Sequence, residues 1–292
     1  MRRLSAILAA TLLVLLSGCG QGHGRIVIGS KNFTEQIILG QLLAQHLETS
    51  THLKVERRFS LGGTYICQNA IRSGEIDLYV EYTGTALAAI LKAKPSSDPA
   101  DVYRRVKEAY AKRFNLAAME PLGFNNSFAM VIRGDDARRL KLKTISDIVP
   151  YAPKWRAAFG YEFMERPDGY KGLAATYHLK FAGEPRIMEL GLLYRALLDQ
   201  QADIVAGSAT DGAIEANDFV ILKDDKRYFP PYDAVPIVRE ATLEKYPELR
   251  SALAELGGKI SEDEMRHMNY QVDGEHRDAK AVAAEFLRAK HL

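Results

Sequence analysis

The strongest constraint on this chain is that short apolar runs alternate with helical patterns. Between residues 25 and 91 the order strand–helix occurs three times. Arg25 to Gly29 is an apolar run, Leu53, Val55, Arg57 and Phe59 alternate, and so do Ile76, Leu78 and Val80. A helix is expected from Asn32 to Glu48, with Asn32 and Glu35 at capping-box spacing and Ile38, Leu42 and Leu43 on one face. A second is expected up to Ser73 and a third ending near Leu91. This order predicts a mostly parallel α/β sheet.

The rest of the chain extends the pattern. Asp98-Pro99 opens a helix to Phe114, with Pro at the first helical position. A second unit begins after Pro121. Phe128 to Arg133, Tyr161 to Met164 and Asp203 to Ala206 read as strands, and Thr144 to Val149 as a short helix. Lys171 to His178 and Met188 to Gln200 read as helices. Ala234 to Arg239 is a strand that returns to the first unit, and three helical patterns close the chain, one capped by Ser261 and Glu264. No solenoid-type repeat is present.

The N-terminal residues lead to the expectation that the protein works outside the cytoplasm. Arg2 and Arg3 precede an apolar stretch, Leu4 to Leu16, which is too short for a permanent membrane span and reads as an export signal. Leu16-Ser17-Gly18-Cys19 then matches the lipobox of bacterial lipoproteins, in which the cysteine carries a diacylglyceryl group. The expected division is a signal peptide at 1–18 and a tether at 19–24. Without Arg2 and Arg3 the chain has 37 basic and 37 acidic residues, so no basic field supports nucleic-acid binding. If Cys19 is lipidated, Cys67 has no disulfide partner and is expected to be buried.

Three loops stand between a strand and a helix: Ser30-Lys31-Asn32, Leu61-Gly62-Gly63-Thr64 and Tyr82-Thr83-Gly84-Thr85. In an open α/β sheet such loops gather at the carboxyl ends of the strands, where helix N-termini expose N–H groups to one cleft. Two readings of these glycines and hydroxyls stand side by side. They are helix caps and turns, or they hold a small anion such as a carboxylate. The Gly62-Gly63 pair lacks the glycine-to-lysine spacing of a phosphate loop.

These blocks carry a family resemblance. Ser30 to Gln36, Leu61 to Thr64, Gly74 to Tyr79 and Glu81 to Thr85 resemble the glycine betaine/carnitine/choline-binding proteins of osmoprotectant ABC transporters. Gly123 to Asn126, Arg166 to Tyr170, Ala209 to Gly212, Asp224 to Lys226 and Phe229 to Asp233 continue the resemblance in order. It implies a two-lobed periplasmic-binding-protein fold of type II. Two α/β lobes, one from 25–124 plus 232–292 and one from 125–231, would be joined by two hinge strands with the ligand between them.

The resemblance also implies a site. Tyr82, Phe128 and Tyr232 match positions of an aromatic cage around a quaternary ammonium group, whose charge is stabilised by ring π faces. Lys31, Thr85 and Arg166 match a clamp for the ligand's carboxylate. Ser208 stands where a fourth aromatic is usual, so the cage is altered: either it binds trimethylammonium less tightly, or the space beside Ser208 admits a larger ligand. Asp211 is expected to cap a turn before Gly212, and Asp77 to be structural.

The expected function is capture of a small zwitterion (glycine betaine, carnitine, choline or similar) by a monomer that hands it to an ABC permease with its ATPase. No cofactor, metal or catalytic residue is expected, and the membrane is met through the lipid anchor alone. A different carboxylated solute, or a tethered sensor in place of a transport component, fits the same pocket. The seven histidines, at 23, 46, 52, 178, 267, 276 and 291, form no metalloprotease pair, and Gly207-Ser208-Ala209 does not continue as a nucleophile elbow.

Overall fold

A computed structural model describes residues 24–94 and 96–292; the export segment and Cys19 lie outside the described residues. Among the described residues, ten strands form two five-stranded sheets. The first contains β1 (Arg25–Lys31), β2 (Lys54–Gly62), β3 (Leu78–Tyr82), β4 (Leu116–Ala118) and β10 (Ala234–Arg239), in the order β2-β1-β3-β10-β4. The second contains β5 (Phe128–Arg133), β6 (Ala157–Gly160), β7 (Arg186–Met188), β8 (Ile204–Ser208) and β9 (Phe219–Leu222), in the order β7-β6-β8-β5-β9.

Both sheets follow one plan. Three strands run parallel, and the fourth in the order lies antiparallel to both neighbours: β10 against β3 and β4, β5 against β8 and β9. Together they give the type II periplasmic-binding-protein fold. The chain crosses between the sheets twice, and the crossings hold each other. Asn126 N–H donates to the Tyr232 carbonyl at 3.0 Å, and Asn125 bridges Asp233.

Helices cover both faces of the first sheet. Ile38, Leu42 and Leu43 on the helix Thr34–Ser50 pack with Ile26, Ile28, Leu253, Val282 and Phe286 on one face. Tyr79, Val102, Val106 and Tyr110 fill the other. Each fully buried aliphatic side chain contributes about 1.5–3 kcal/mol, so these layers fix the strands whose ends build the cleft. Cys67 lies in this second core, buried and without a disulfide partner among the described residues.

Several local expectations are corrected. The helix Thr34–Ser50 has Phe33 at its N-cap with no side-chain cap bond, because Glu35 turns inward instead. Tyr161 to Met164 belongs to a short helix, Tyr161–Glu165, and the strand is the preceding Ala157–Gly160. The segment near Leu91 is a helical turn, Thr83–Thr85, continued by a π-turn, Ala86–Ile90. Four helices follow β10 instead of three, and Ser261 with Glu264 forms the expected capping box on one of them.

Candidate ligand-binding cleft

The carboxyl ends of the strands open toward one cleft of ≈ 850 Å³. Lys31 ends β1 and Tyr82 ends β3. Thr85 lies in the helical turn that follows β3. Phe128 begins β5, Arg166 follows the helix Tyr161–Glu165, and Ser208 ends β8. Tyr232 comes from the second crossing. All seven candidate residues line this cleft. Gly84 lets the Tyr82–Thr85 loop reach the crossing, since a Cβ there would overlap the Pro231 carbonyl and the Tyr232 ring. Gly62, with φ of +147°, makes the turn that brings Gly63 to the cleft.

Lys31 is buried, and its charge is already matched. Its Nζ lies 2.5 Å from Glu81 Oε1 and donates to Thr64 Oγ1 at 2.9 Å. It also stands 5.2 Å from the centre of the Tyr82 ring. Two of the three ammonium N–H directions are thus occupied within the chain.

Arg166 is buried as well. Nε donates to Asp168 Oδ1, and Nη2 donates to Asp168 Oδ2 and to Thr85 Oγ1. Burial alone would push its guanidinium down, but Asp168 more than offsets this and holds it above the usual range. The guanidinium carbon lies 4.7 Å from the Phe128 ring centre and 6.0 Å from that of Tyr232. Its Nη1 faces Glu162 at 3.9 Å.

The tyrosines are fixed through their hydroxyls. Tyr82 donates to Glu35 Oε1 at 2.6 Å, and Tyr232 to Asp168 Oδ2 at 2.6 Å. Phe128 meets Tyr232 edge-on, with ring centres 6.0 Å apart. Ser208 lies opposite Phe128 in the sheet register. Its backbone N–H donates to Asp211 Oδ2 at 2.8 Å. Asp211 also accepts from the Tyr194 hydroxyl at 2.6 Å, and it stands at the N-cap of Gly212–Ala216 without a side-chain cap bond. Burial pushes the Asp211 carboxyl up to about 7, although Tyr194 and Ser208 donate to it.

Glu35 ties the cleft wall to the rest of the fold. It is fully buried, and burial raises its carboxyl despite four donors: Thr210, Tyr82, Asn269 and Asn126. Those donors come from both sheet units and the first crossing. Asp77 is structural: its carboxylate accepts from Val27 N–H and the Thr242 hydroxyl, both at 2.8 Å.

Other cleft residues escape a reading of the sequence. Phe33 stacks on Tyr82 with ring centres 6.5 Å apart, and Asn126 contributes from the first crossing. Both sit inside the family-like blocks, so position there was the available signal. Tyr194 stands on a helix that reads as ordinary amphipathic, and a Cβ at Gly207, the neighbour of Ser208, would strike its hydroxyl. Glu162 sits where a strand is expected, with no motif to mark it.

A cleft lined from two α/β units that are joined by paired crossings defines a two-lobed solute-binding protein. This chain belongs to the family described as the substrate-binding domain of the ABC-type glycine betaine transport system, which it matches over residues 24–289. It is 35% identical to the carnitine transport binding protein OpuCC of Listeria monocytogenes, over 98% of this chain and 95% of that one. It is 34% identical to the ergothioneine transport permease/ergothioneine binding protein EgtU of Helicobacter pylori, over 96% of this chain and 50% of that one. A crystal structure described as a glycine betaine/carnitine/choline ABC transporter superposes with a TM-score of 0.76 at 33% identity, covering 91% of this chain and 98% of that one.

Proposed function

We propose that the protein is the extracytoplasmic solute-binding lipoprotein of an ABC importer, and that it captures a small betaine-type zwitterion without catalysing a reaction. In this reading residues 1–18 are removed on export, Cys19 carries the lipid and 19–24 form the tether. Residues 25–124 plus 232–292 form lobe one, and 125–231 form lobe two. The closed monomer presents its solute to the permease and ATPase, and the membrane is met only through the anchor.

The observation that carries this reading is the convergence of Tyr82, Phe128 and Tyr232 with Lys31 and Arg166 on one cleft. A quaternary ammonium group donates no hydrogen bonds, so rings and carboxylates must hold it. The cleft wall supplies both: seven aromatic rings, those of Phe33, Tyr82, Phe128, Tyr161, Phe163, Tyr194 and Tyr232, and the carboxylates of Glu162, Glu189, Asp211 and Asp273. Arg166 with Thr85, and Lys31 beside Thr64, form the corner for a ligand carboxylate.

A second reading is a larger betaine-like or otherwise carboxylated solute. The cleft volume of ≈ 850 Å³ favours it, since pockets for drug-sized ligands run about 300–1,000 Å³ and glycine betaine is far smaller. The ergothioneine-binding relative makes that compound the first to test.

A thermal-shift and calorimetry panel on the purified protein tests both. Glycine betaine, proline betaine, carnitine, choline and ergothioneine are compared with proline and glutamate. A bound ligand at 100 times its Kd stabilises by about 2.7 kcal/mol, which raises Tm by roughly 5–10 °C for a chain of this size. A shift with carboxylated betaines above choline supports the first reading. A shift confined to ergothioneine supports the second, and no shift with any of them rejects both.

A further inference from the structure

Glu162 reaches across the cleft. It stands on the short helix Tyr161–Glu165, next to β6 of the second sheet, yet its carboxylate accepts from the backbone N–H and the hydroxyl of Thr64, the latter at 3.1 Å. Thr64 is the first residue of the helix Thr64–Ser73, whose N-terminus favours negative charge. The same Thr64 hydroxyl accepts from Lys31 Nζ at 2.9 Å. Arg166 Nη1 lies 3.9 Å from Glu162 Oε2, the oxygen that also accepts from the Thr64 hydroxyl. Gly63 leaves the space, because a Cβ there would overlap the Glu162 carboxylate.

The charges make this position distinctive. Lys31 is matched by Glu81 and Arg166 by Asp168, so the corner without Glu162 is formally neutral and rich in N–H and O–H donors. Glu162 brings the single surplus negative charge. A second carboxylate in the same corner would meet it at close range in a poorly solvated cleft, where like charges repel strongly.

We infer that Glu162 is a built-in substitute for the ligand's carboxylate: it bridges the two lobes when the cleft is empty, and a carboxylated solute takes its place on Thr64. The bridge itself rests on the contacts above, while the exchange rests on the betaine reading of the cleft. A zwitterion must therefore displace Glu162 before it is gripped, whereas a cation without a carboxylate does not. Glu162 becomes a specificity-determining residue that narrows the difference between the two classes of ligand.

Glu162→Ala and the isosteric Glu162→Gln test the two parts separately. Small-angle scattering on the unliganded protein reads the bridge with no ligand involved. The expected result is a larger radius of gyration for both variants than for the parent, and an unchanged radius would overturn the bridge. Calorimetry with glycine betaine and choline reads the exchange. The ratio of their affinities is expected to move toward glycine betaine by about tenfold in Glu162→Ala, the equivalent of one charge-assisted hydrogen bond. Equal weakening of both ligands would overturn the exchange and assign Glu162 to the ligand's cation. If neither ligand binds parent or variant, the betaine reading and the exchange fall together, and the scattering comparison still decides the bridge.

Discussion

Arg166 and Asp168 meet fork to fork, with Nε to Oδ1 at 2.9 Å and Nη2 to Oδ2 at 2.5 Å, and each side chain is only 4% exposed. Breaking such a buried pair from one side leaves an uncompensated charge and costs about 3–5 kcal/mol. Asp168→Ala should therefore lower Tm by roughly 10 °C, because it strands Arg166 and removes the acceptor of the Tyr232 hydroxyl. Arg166→Ala should weaken carboxylated ligands strongly and choline much less. Thermal melts and calorimetry on the two variants check this, and equal losses for both ligand types would remove Arg166 from the clamp.

Tyr82 separates ring from hydroxyl. Its hydroxyl is one of four donors to the buried Glu35 carboxylate. Tyr82→Phe should lower stability by about 1–3 kcal/mol, the cost of leaving a buried group short of a partner, and leave trimethylammonium affinity nearly unchanged. Tyr82→Ala and Tyr232→Ala should each weaken trimethylammonium ligands by about tenfold or more. Titration of the three variants with glycine betaine decides whether the rings bind ligand or only fill space.

Asp211 gives the cleft a pH dependence. Burial lifts its carboxyl from 3.8 to about 7. Between those values the folded protein holds a proton that the unfolded chain releases. This group's contribution to stability therefore falls as pH rises across that window. Asp211→Asn should flatten the dependence of Tm on pH between about 4 and 7 relative to the parent. Melting curves at unit pH intervals measure the difference. An identical slope in both would show that Tyr194 and Ser208 hold the group ionised throughout.

The two cysteines should behave in opposite ways. Cys67 is buried among Ile71, Tyr79 and Leu87, and burial pushes its thiol up to about 12, so native protein at pH 8 should resist alkylation until it is unfolded. Cys19→Ala should move the protein from the membrane fraction to the soluble one. Mass spectrometry before and after denaturation reads the first, and fractionation reads the second.

The elements with strong patterns were legible in the chain. Phe128–Arg133 and Ala234–Arg239 coincide with their expected bounds, because each is a short apolar run closed by an arginine and preceded by a turn-rich segment. Ala157–Gly160 did not stand out, since four residues rich in alanine carry little β signal. The next residues, Tyr161-Glu162-Phe163-Met164, mimic an alternating strand while forming a helix. At the cleft, Lys31, Arg166, Tyr82, Phe128 and Tyr232 were legible through the family resemblance, while Phe33 and Tyr194 were not. Nor were the internal partners of the cleft residues. Glu81 is 50 residues from Lys31, and Glu162 is 98 from Thr64, and only the folded sheets bring them together.

The position of β10 reaches beyond binding. It lies between β3 and β4, and among the described residues β4 has no other strand partner. Every strand of the second sheet precedes it in sequence. On a chain emerging from its N-terminus, the second sheet can therefore complete itself while the first still has a gap between β3 and β4. Long-range closure of this kind is slow. The N-terminal part of the first sheet must wait for residues 234–239 before it locks.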